Sequence, residues 1–191
     1  MYEETKGQNL CGYNKKKNAL RYWYSIFGME ELMARMKIIS GAQTGVDRAA
    51  LDAAIACGLD YGGSIPHGRL AEDGPVAKRY AELIELKSDD YAVRTRRNVR
   101  DADATLNLCP GPPEGGTALT ERIARRLERP VLVVDIGRQT GLAAITRIHA
   151  WLKARKPAIL NIAGPRESRY PGLYVRVRAI LEELFRNYTG E

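Results

Sequence analysis

The sequence predicts an α/β protein built on an open, largely parallel β-sheet, as a single domain with an N-terminal extension. Three observations predict it. From Met36 onward, short β-branched runs alternate with segments of helical period, the pattern left by strands joined through crossover helices. The segments that follow the strands are rich in Gly, Ser, Thr and Pro, as loops at a sheet edge are. A chain of 191 residues, 45% hydrophobic, is long enough for one well-buried core and short for two.

The first 35 residues show no sustained period and stand outside the domain, which spans 36–187 and leaves 188–191 as a tail. Met29, Met33 and Met36 each offer a start near the patterned region. Tyr22, Trp23, Tyr24, Ile26 and Phe27 could form a docking arm, but a peripheral extension is the preferred reading. The domain opens with a strand at 36–40. A helix over 46–57 is apolar almost all round, with Asp47, Arg48 and Asp52 on one narrow stripe, so it should be largely buried. Strands follow at 60–64 and 82–87, and Ser88 is placed to cap a helix over 89–101. After a strand at 103–109, the glycines of "PEGGT" lead into a helix over 117–128. A strand at 130–136 precedes a helix over 142–154 that sets Leu142, Ile145, Ile148, Trp151 and Leu152 on one face. The last strand, 157–162, precedes a helix whose buried face is Leu173, Val177, Ile180, Leu181 and Leu184, with Pro171 in its first turn.

Composition narrows the function. A net charge of +7 would suit an anionic partner, but residues 1–28 hold five basic side chains against two acidic ones and supply three of the seven charges. The remainder is ordinary for a globular domain, which argues against nucleic-acid binding. Cys11, Cys57 and Cys109 are odd in number and have no CxxC spacing. Neither a disulfide framework nor a zinc site is expected, and a cytoplasmic location fits. No apolar run reaches the length of about 18 residues that a membrane span needs. His67 and His149 are the only histidines. They leave little material for a Ser/His/Asp triad or a His-based site, so no metal held by the protein itself is expected.

In an open parallel sheet, ligands bind at the carboxyl edge of the strands. This sequence places four loops there: "SGAQTGVD" (40–47), "SIPHG" (64–68), "CPGPPEGGT" (109–117) and "NIAGPRES" (161–168). Two run directly into helix N-termini, which attract oxyanions through free N–H groups and the helix dipole. In the first, Thr44 with Asp47 three residues on reads as a capping box, and Gly41 and Gly45 as residues of a tight turn. Gln43 has no capping duty there, and Arg48 sits where the dipole disfavours a cation; a bound anion, or Asp47 and Asp52 beside it, would offset that cost, and ligand binding is preferred over a mere turn. No Lys-Ser/Thr pair follows the glycines, which excludes a P-loop, and G-x-x-x-G is not the dinucleotide fingerprint. Gly115 and Gly116 form a second cradle, with Thr117 as N-cap and hydroxyl donor. Arg94 and Arg97 share a helix face beside Asn98 and can grip an oxyanion, although a solvated charged face is the usual reading of such a run. Arg166 and Ser168 follow a strand-end glycine, where a ligand's far end would lie. Glu72, Asp73, Glu114 and Glu121 are the carboxylates beside these loops.

Five blocks, "IISGAQTGVDRAALDAA", "YGGSIPHGRLAEDG", "SDDYAVRTRRNVRDADATL", "GGTALTE" and "LNIAGPRES", occur in this order. Together they resemble the molybdenum carrier family, a circularly permuted, YpsA-like branch of the SLOG superfamily distantly related to the LOG, or lysine decarboxylase-like, proteins. The resemblance covers about residues 36–186. It implies a Rossmann-like open, mostly parallel sheet with helices on both faces, and self-association into a homo-oligomer. It also implies a carboxyl-edge pocket for a phosphorylated pterin- or nucleotide-like ligand such as the molybdenum cofactor, lined by Gly41, Gln43, Thr44, Gly45, Arg48, Gly115, Gly116 and Thr117. Any metal would arrive on that ligand. LOG enzymes cleave the N-glycosidic bond of nucleoside monophosphates and carry P-G-G-x-G-T-x-x-E, whose Glu and an upstream Arg do the chemistry. With Gly116 and Thr117 matched to the motif's G-T, the Glu position holds Thr120, and Glu121 falls one residue late, about 100° round the helix. That departure favours a binding protein without chemistry. The alternative is a nucleoside monophosphate N-glycosidase with Arg94 or Arg97 on the phosphate and Glu121 or Glu72 acting on the ribosyl bond.

Overall fold

The computed structural model describes residues 36–189; the expected extension over 1–35, with its aromatic patch, lies outside the described residues. The chain runs β1 (Lys37–Ile39), α1 (Val46–Ala56), β2 (Tyr61–Ile65), β3 (Leu70–Ala71), β4 (Gly74–Pro75) and β5 (Leu83–Glu85). It continues α2 (Tyr91–Asp101), β6 (Ala104–Cys109), α3 (Gly115–Arg126), β7 (Val131–Asp135), α4 (Gly141–Arg155), β8 (Ile159–Ala163) and α5 (Leu173–Thr189). Six strands form one sheet in the order β5-β2-β1-β8-β6-β7, every neighbouring pair parallel. The last strand, β8, thus fills the centre, between a half that grows outward through β2 and β5 and a half that grows through β6 and β7. That reversal is the switch point at which an open α/β sheet leaves a crevice.

The two faces of the sheet are covered differently. On one, Ile38, Leu106, Leu108, Val134, Leu160 and Ile162 pack against α1, α4 and α5 in the main hydrophobic core. The small residues of α1 (Ala49, Ala50, Ala53, Ala54) let that helix lie between the sheet and α5. On the other face, under α2 and α3, the alternate residues of β2, β6 and β8 are polar and fully covered: Ser64, Thr105, Asn107 and Asn161. Buried polar groups must find partners. Asn161 Nδ2 donates to Thr105 Oγ1 at 3.3 Å and Asn107 Nδ2 to the carbonyl of Thr117 at 3.3 Å.

Asn98, expected to meet a ligand, belongs to this layer. Its Oδ1 accepts from the N–H of Ser64 at 2.7 Å and its Nδ2 donates to the Ser64 carbonyl at 3.1 Å, both buried. It ties α2 to β2. Asn98→Ala should leave both backbone groups of Ser64 unmet and destabilise the fold by roughly 2–4 kcal/mol. The expected result is a lower urea midpoint with an unchanged slope; an unaltered midpoint would refute it.

Several local expectations need correction. Strand and helix ends shift by at most two residues. Asp90, not Ser88, caps α2, its side chain accepting from the N–H of Ala92, while Ser88 Oγ accepts from the N–H of Asp90. Pro171 precedes α5 instead of opening it, because Gly172 turns there with φ 87° and the helix begins at Leu173. The helix then runs to Thr189, past the expected boundary at 187. Leu142, in the first turn of α4, is 49% exposed, whereas Ile145, Ile148 and Leu152 are buried as the helical period requires. The β3–β4 hairpin, antiparallel and two residues a side, was not expected at all.

Candidate functional site

The loop after β1 is shaped by close approach more than by turning. Ser40 Oγ donates to the Ile162 carbonyl at 2.7 Å, fastening it to β8. A Cβ on Gly41 would stand 1.5 Å from Arg94 Nη1, so this glycine makes room for a guanidinium. Gly45, at the N-cap of α1 with φ 74° and ψ −125°, lies where a Cβ would be 2.5 Å from the Pro165 carbonyl oxygen.

The capping box expected of Thr44 and Asp47 does not form, and no side chain caps α1. Thr44 Oγ1 instead donates to Glu72 and accepts from the N–H of Glu167 at 3.2 Å. Asp47 turns inward to Arg94 Nη1 at 3.0 Å, the two side chains being 5% and 11% exposed. Burial pushes the Asp47 carboxyl above its ordinary range, and Arg94 with the N–H groups of Gln43 and Gly164 offsets this only in part.

Arg48 also departs from expectation. Its guanidinium turns away to Asp73, with Nη2 donating to Asp73 at 3.1 Å and to the Ala42 carbonyl at 3.2 Å. Asp73, 25 residues on, answers this cation in the first turn of α1. The same hairpin supplies Glu72, whose carboxylate accepts from Ser168 Oγ at 2.6 Å and Ser168 N–H at 3.2 Å. Its slight burial raises the Glu72 carboxyl, but the hydrogen bonds of Ser168 and Thr44 and the charge of Arg166 outweigh this and hold it below the usual range. It is a clasp between two loops.

Between the loops after β1, β6 and β8 lies a cleft of about 500 Å³. Of the residues expected to bind ligand, Gln43, Arg94, Gly116, Thr117, Arg166 and Ser168 line it. Gly41, Thr44 and Gly45 stand behind its wall, Gly115 lies beside it at the start of α3, and Asn98 and Arg48 are engaged elsewhere as described. α3 begins at Gly115 with Glu114 as its N-cap, so Thr117 sits within the first turn and is not the cap. Arg97 faces outward and pairs with Asp101, bordering a separate shallow groove with Lys87, Arg96 and Arg100. Glu121 pairs with Arg125 at 2.7 Å outside the cleft, while Thr120 lines it, its hydroxyl donating to the Gly116 carbonyl at 2.9 Å.

Sequence reasoning missed Tyr91, Asp47 as a lining group, Thr95, Thr120, Tyr170 and the pair Arg169–Glu114. Arg166 lies 5.0 Å from the Tyr91 ring centroid and Arg94 6.0 Å from it, so two cations share one ring. Arg169 Nη2 meets Glu114 at 2.6 Å at the cleft. Among the described residues no carboxylate comes within ion-pair distance of Arg166. Among the described residues no group of three or more His, Cys, Asp or Glu is placed to hold a metal ion, and no helix is long and apolar enough to cross a membrane.

A parallel sheet with helices on both faces and a cleft at its switch point defines a Rossmann-like α/β domain. Within that class, the chain belongs to the circularly permutated YpsA SLOG family, matched over residues 38–185. It is similar to the crystal structure of "Putative molybdenum carrier protein" from Syntrophus aciditrophicus SB, at 43% identity and a TM-score of 0.74, over 81% of this chain and 95% of that one. No curated protein matches the chain.

Proposed function

We propose that this protein is a cytoplasmic, self-associating carrier that binds an anionic, phosphorylated pterin- or nucleotide-like ligand in the carboxyl-edge cleft and does no chemistry on it. The molybdenum cofactor or a precursor is the first candidate, on the strength of the name borne by its structural relative. The observation that carries the reading is Arg166: an exposed cation whose charge reaches Glu72 but which makes no ion pair within 4 Å among the described residues, laid on Tyr91 and bordering the cleft that the first turn of α3 also lines. Arginine over an aromatic ring beside free helix N–H groups suits a planar heterocycle joined to an oxyanion. The pairing of Arg97 with Asp101, of Glu121 with Arg125 and of Glu72 with Ser168 weighs against the hydrolase alternative, which keeps only Arg94 of its named groups in the cleft.

Native mass spectrometry of the protein from a host that makes the molybdenum cofactor tests this. A co-purified pterin or nucleotide mass is expected from the wild type. Arg166→Ala should lose that mass while its unfolding free energy changes by no more than about 0.5 kcal/mol, as is usual for an exposed side chain. Release of free base from a panel of nucleoside monophosphates would establish the hydrolase instead.

A further inference from the structure

Gln43 borders the cleft with its amide fixed in one sense. Its Oε1 accepts from the N–H of Thr44 at 3.0 Å and of Glu72 at 2.9 Å, and these donors settle which end of the amide is oxygen. Nε2 is the end left over. It is buried, in a residue only 4% exposed, and has no hydrogen-bond partner among the described residues. Arg94 lines the same cleft; its Nε is likewise buried without a partner while its Nη1 is held by Asp47. A buried donor without an acceptor is unfavourable, so two of them on one cleft call for a guest that accepts.

The two carboxylates nearest this pair are already engaged. Asp47 takes Arg94 Nη1 and the N–H groups of Gln43 and Gly164, and Glu72 takes Thr44 and Ser168. An O–H brought to this floor would meet two unpartnered donors and no unengaged carboxylate.

Resting on the reading that the cleft binds an anion, we infer that Gln43 and Arg94 form a deep pole selective for a ligand oxygen that carries no proton: a fully ionised oxyanion or a metal-oxo group. Both nitrogens are covered from bulk water, so the ligand reaches them through a small side-chain adjustment of the kind common on binding. Molybdate and inorganic phosphate separate an oxyanion without a proton from one that keeps a proton. Both are tetrahedral, but at neutral pH molybdate carries no proton and inorganic phosphate keeps at least one.

Isothermal titration of the full chain with molybdate and with inorganic phosphate at pH 7.5 is the test. Molybdate should bind, and phosphate should bind roughly tenfold more weakly or worse. Gln43→Glu keeps an acceptor for both N–H groups but turns the free end from donor to acceptor, and should weaken molybdate roughly 10- to 100-fold. If that variant melts early, Arg94→Lys serves in its place, since it keeps a cation for Asp47 and removes the Nε donor; the same loss is expected. Arg97→Ala, outside the cleft, should bind as the wild type does. Undiminished molybdate binding by the folded Gln43→Glu or Arg94→Lys variant, or a preference for phosphate, overturns the inference. A wild type that ignores both inorganic anions yet carries a co-purified pterin or nucleotide overturns the deep pole and leaves the carrier reading standing. If neither the inorganic anions nor any co-purified ligand is found, both fall.

Discussion

Gly164→Ala is expected to destabilise the domain by about 4 kcal/mol or more, a loss at the extreme of single substitutions and comparable with the whole stability of many domains. Gly164 follows β8 at the centre of the sheet. A Cβ there would stand 2.3 Å from the Leu108 carbonyl oxygen and 2.5 Å from Val46 Cγ2. Neither neighbour can yield cheaply, because Leu108 belongs to β6 and Val46 opens the buried helix α1. The backbone of the loop after β8 must therefore move away from the loop after β1, and the cleft between them opens with it. Gly116→Ala is the control of opposite sign. Nothing lies within 4 Å of its added Cβ and it sits in the first turn of α3, so the variant should gain up to about 1 kcal/mol from reduced backbone freedom. Urea unfolding of the two variants decides it: a Gly164→Ala midpoint close to the wild type would show that the loop is not packed as described.

These glycines show where sequence reasoning stops. "GAQTG" and "PEGGT" mark a strand-to-helix turn and a helix start, and both elements are present because that chemistry is local. Whether a glycine is there for a turn or for a neighbour is not local. Gly41 reads as a turn residue, yet it stands where it does because Arg94, 53 positions on, occupies the space its side chain would take. The same limit governs charge. Asp47 and Thr44 satisfy a capping pattern, but their partners are Arg94 and Glu72, and Arg48 is answered by Asp73 on a hairpin whose strands are too short to leave a period.

The strands were legible because one residue in two is branched or apolar. What the pattern concealed is that the other residue in two, at Ser64, Thr105, Asn107 and Asn161, is buried as well. A parallel sheet covered on both faces ordinarily reads as a continuous apolar run, so "ATLNLC" and "ILNIA" resemble half-solvated strands until α2 and α3 are seen to cover them. Tyr91 carries no local signature. It becomes part of the site only because α2 starts at the cleft and brings its first residue under Arg166.

Arg94→Met is expected to cost about 3–5 kcal/mol at neutral pH, because it strands the Asp47 carboxylate in a site where the side chain is 5% exposed. The direction of its pH dependence distinguishes this cause from lost packing. Burial already holds the Asp47 carboxyl above the 3.8 usual for aspartate, and Arg94 is the largest influence pulling it back. Without Arg94 the folded-state value rises further. A carboxyl whose folded value exceeds its unfolded one binds more protons in the native state, so its stabilising contribution is full below the unfolded value and is lost as pH rises through the folded one. The Arg94→Met variant should therefore recover stability, relative to the wild type, as pH falls from neutrality toward 3.8. Glu72 and Asp73, held below their usual values, run the other way and lose their contributions as pH falls; both proteins share them, so the difference between variant and wild type isolates Asp47. Adding Asp47→Asn to Arg94→Met removes the buried charge and should return much of the lost stability with no such pH dependence, a coupling that a double-mutant cycle measures directly. If the single variant lost the same stability at pH 5 as at pH 7, its defect would lie in packing, and the buried Asp47–Arg94 ion pair would not be what holds the first loop to α2.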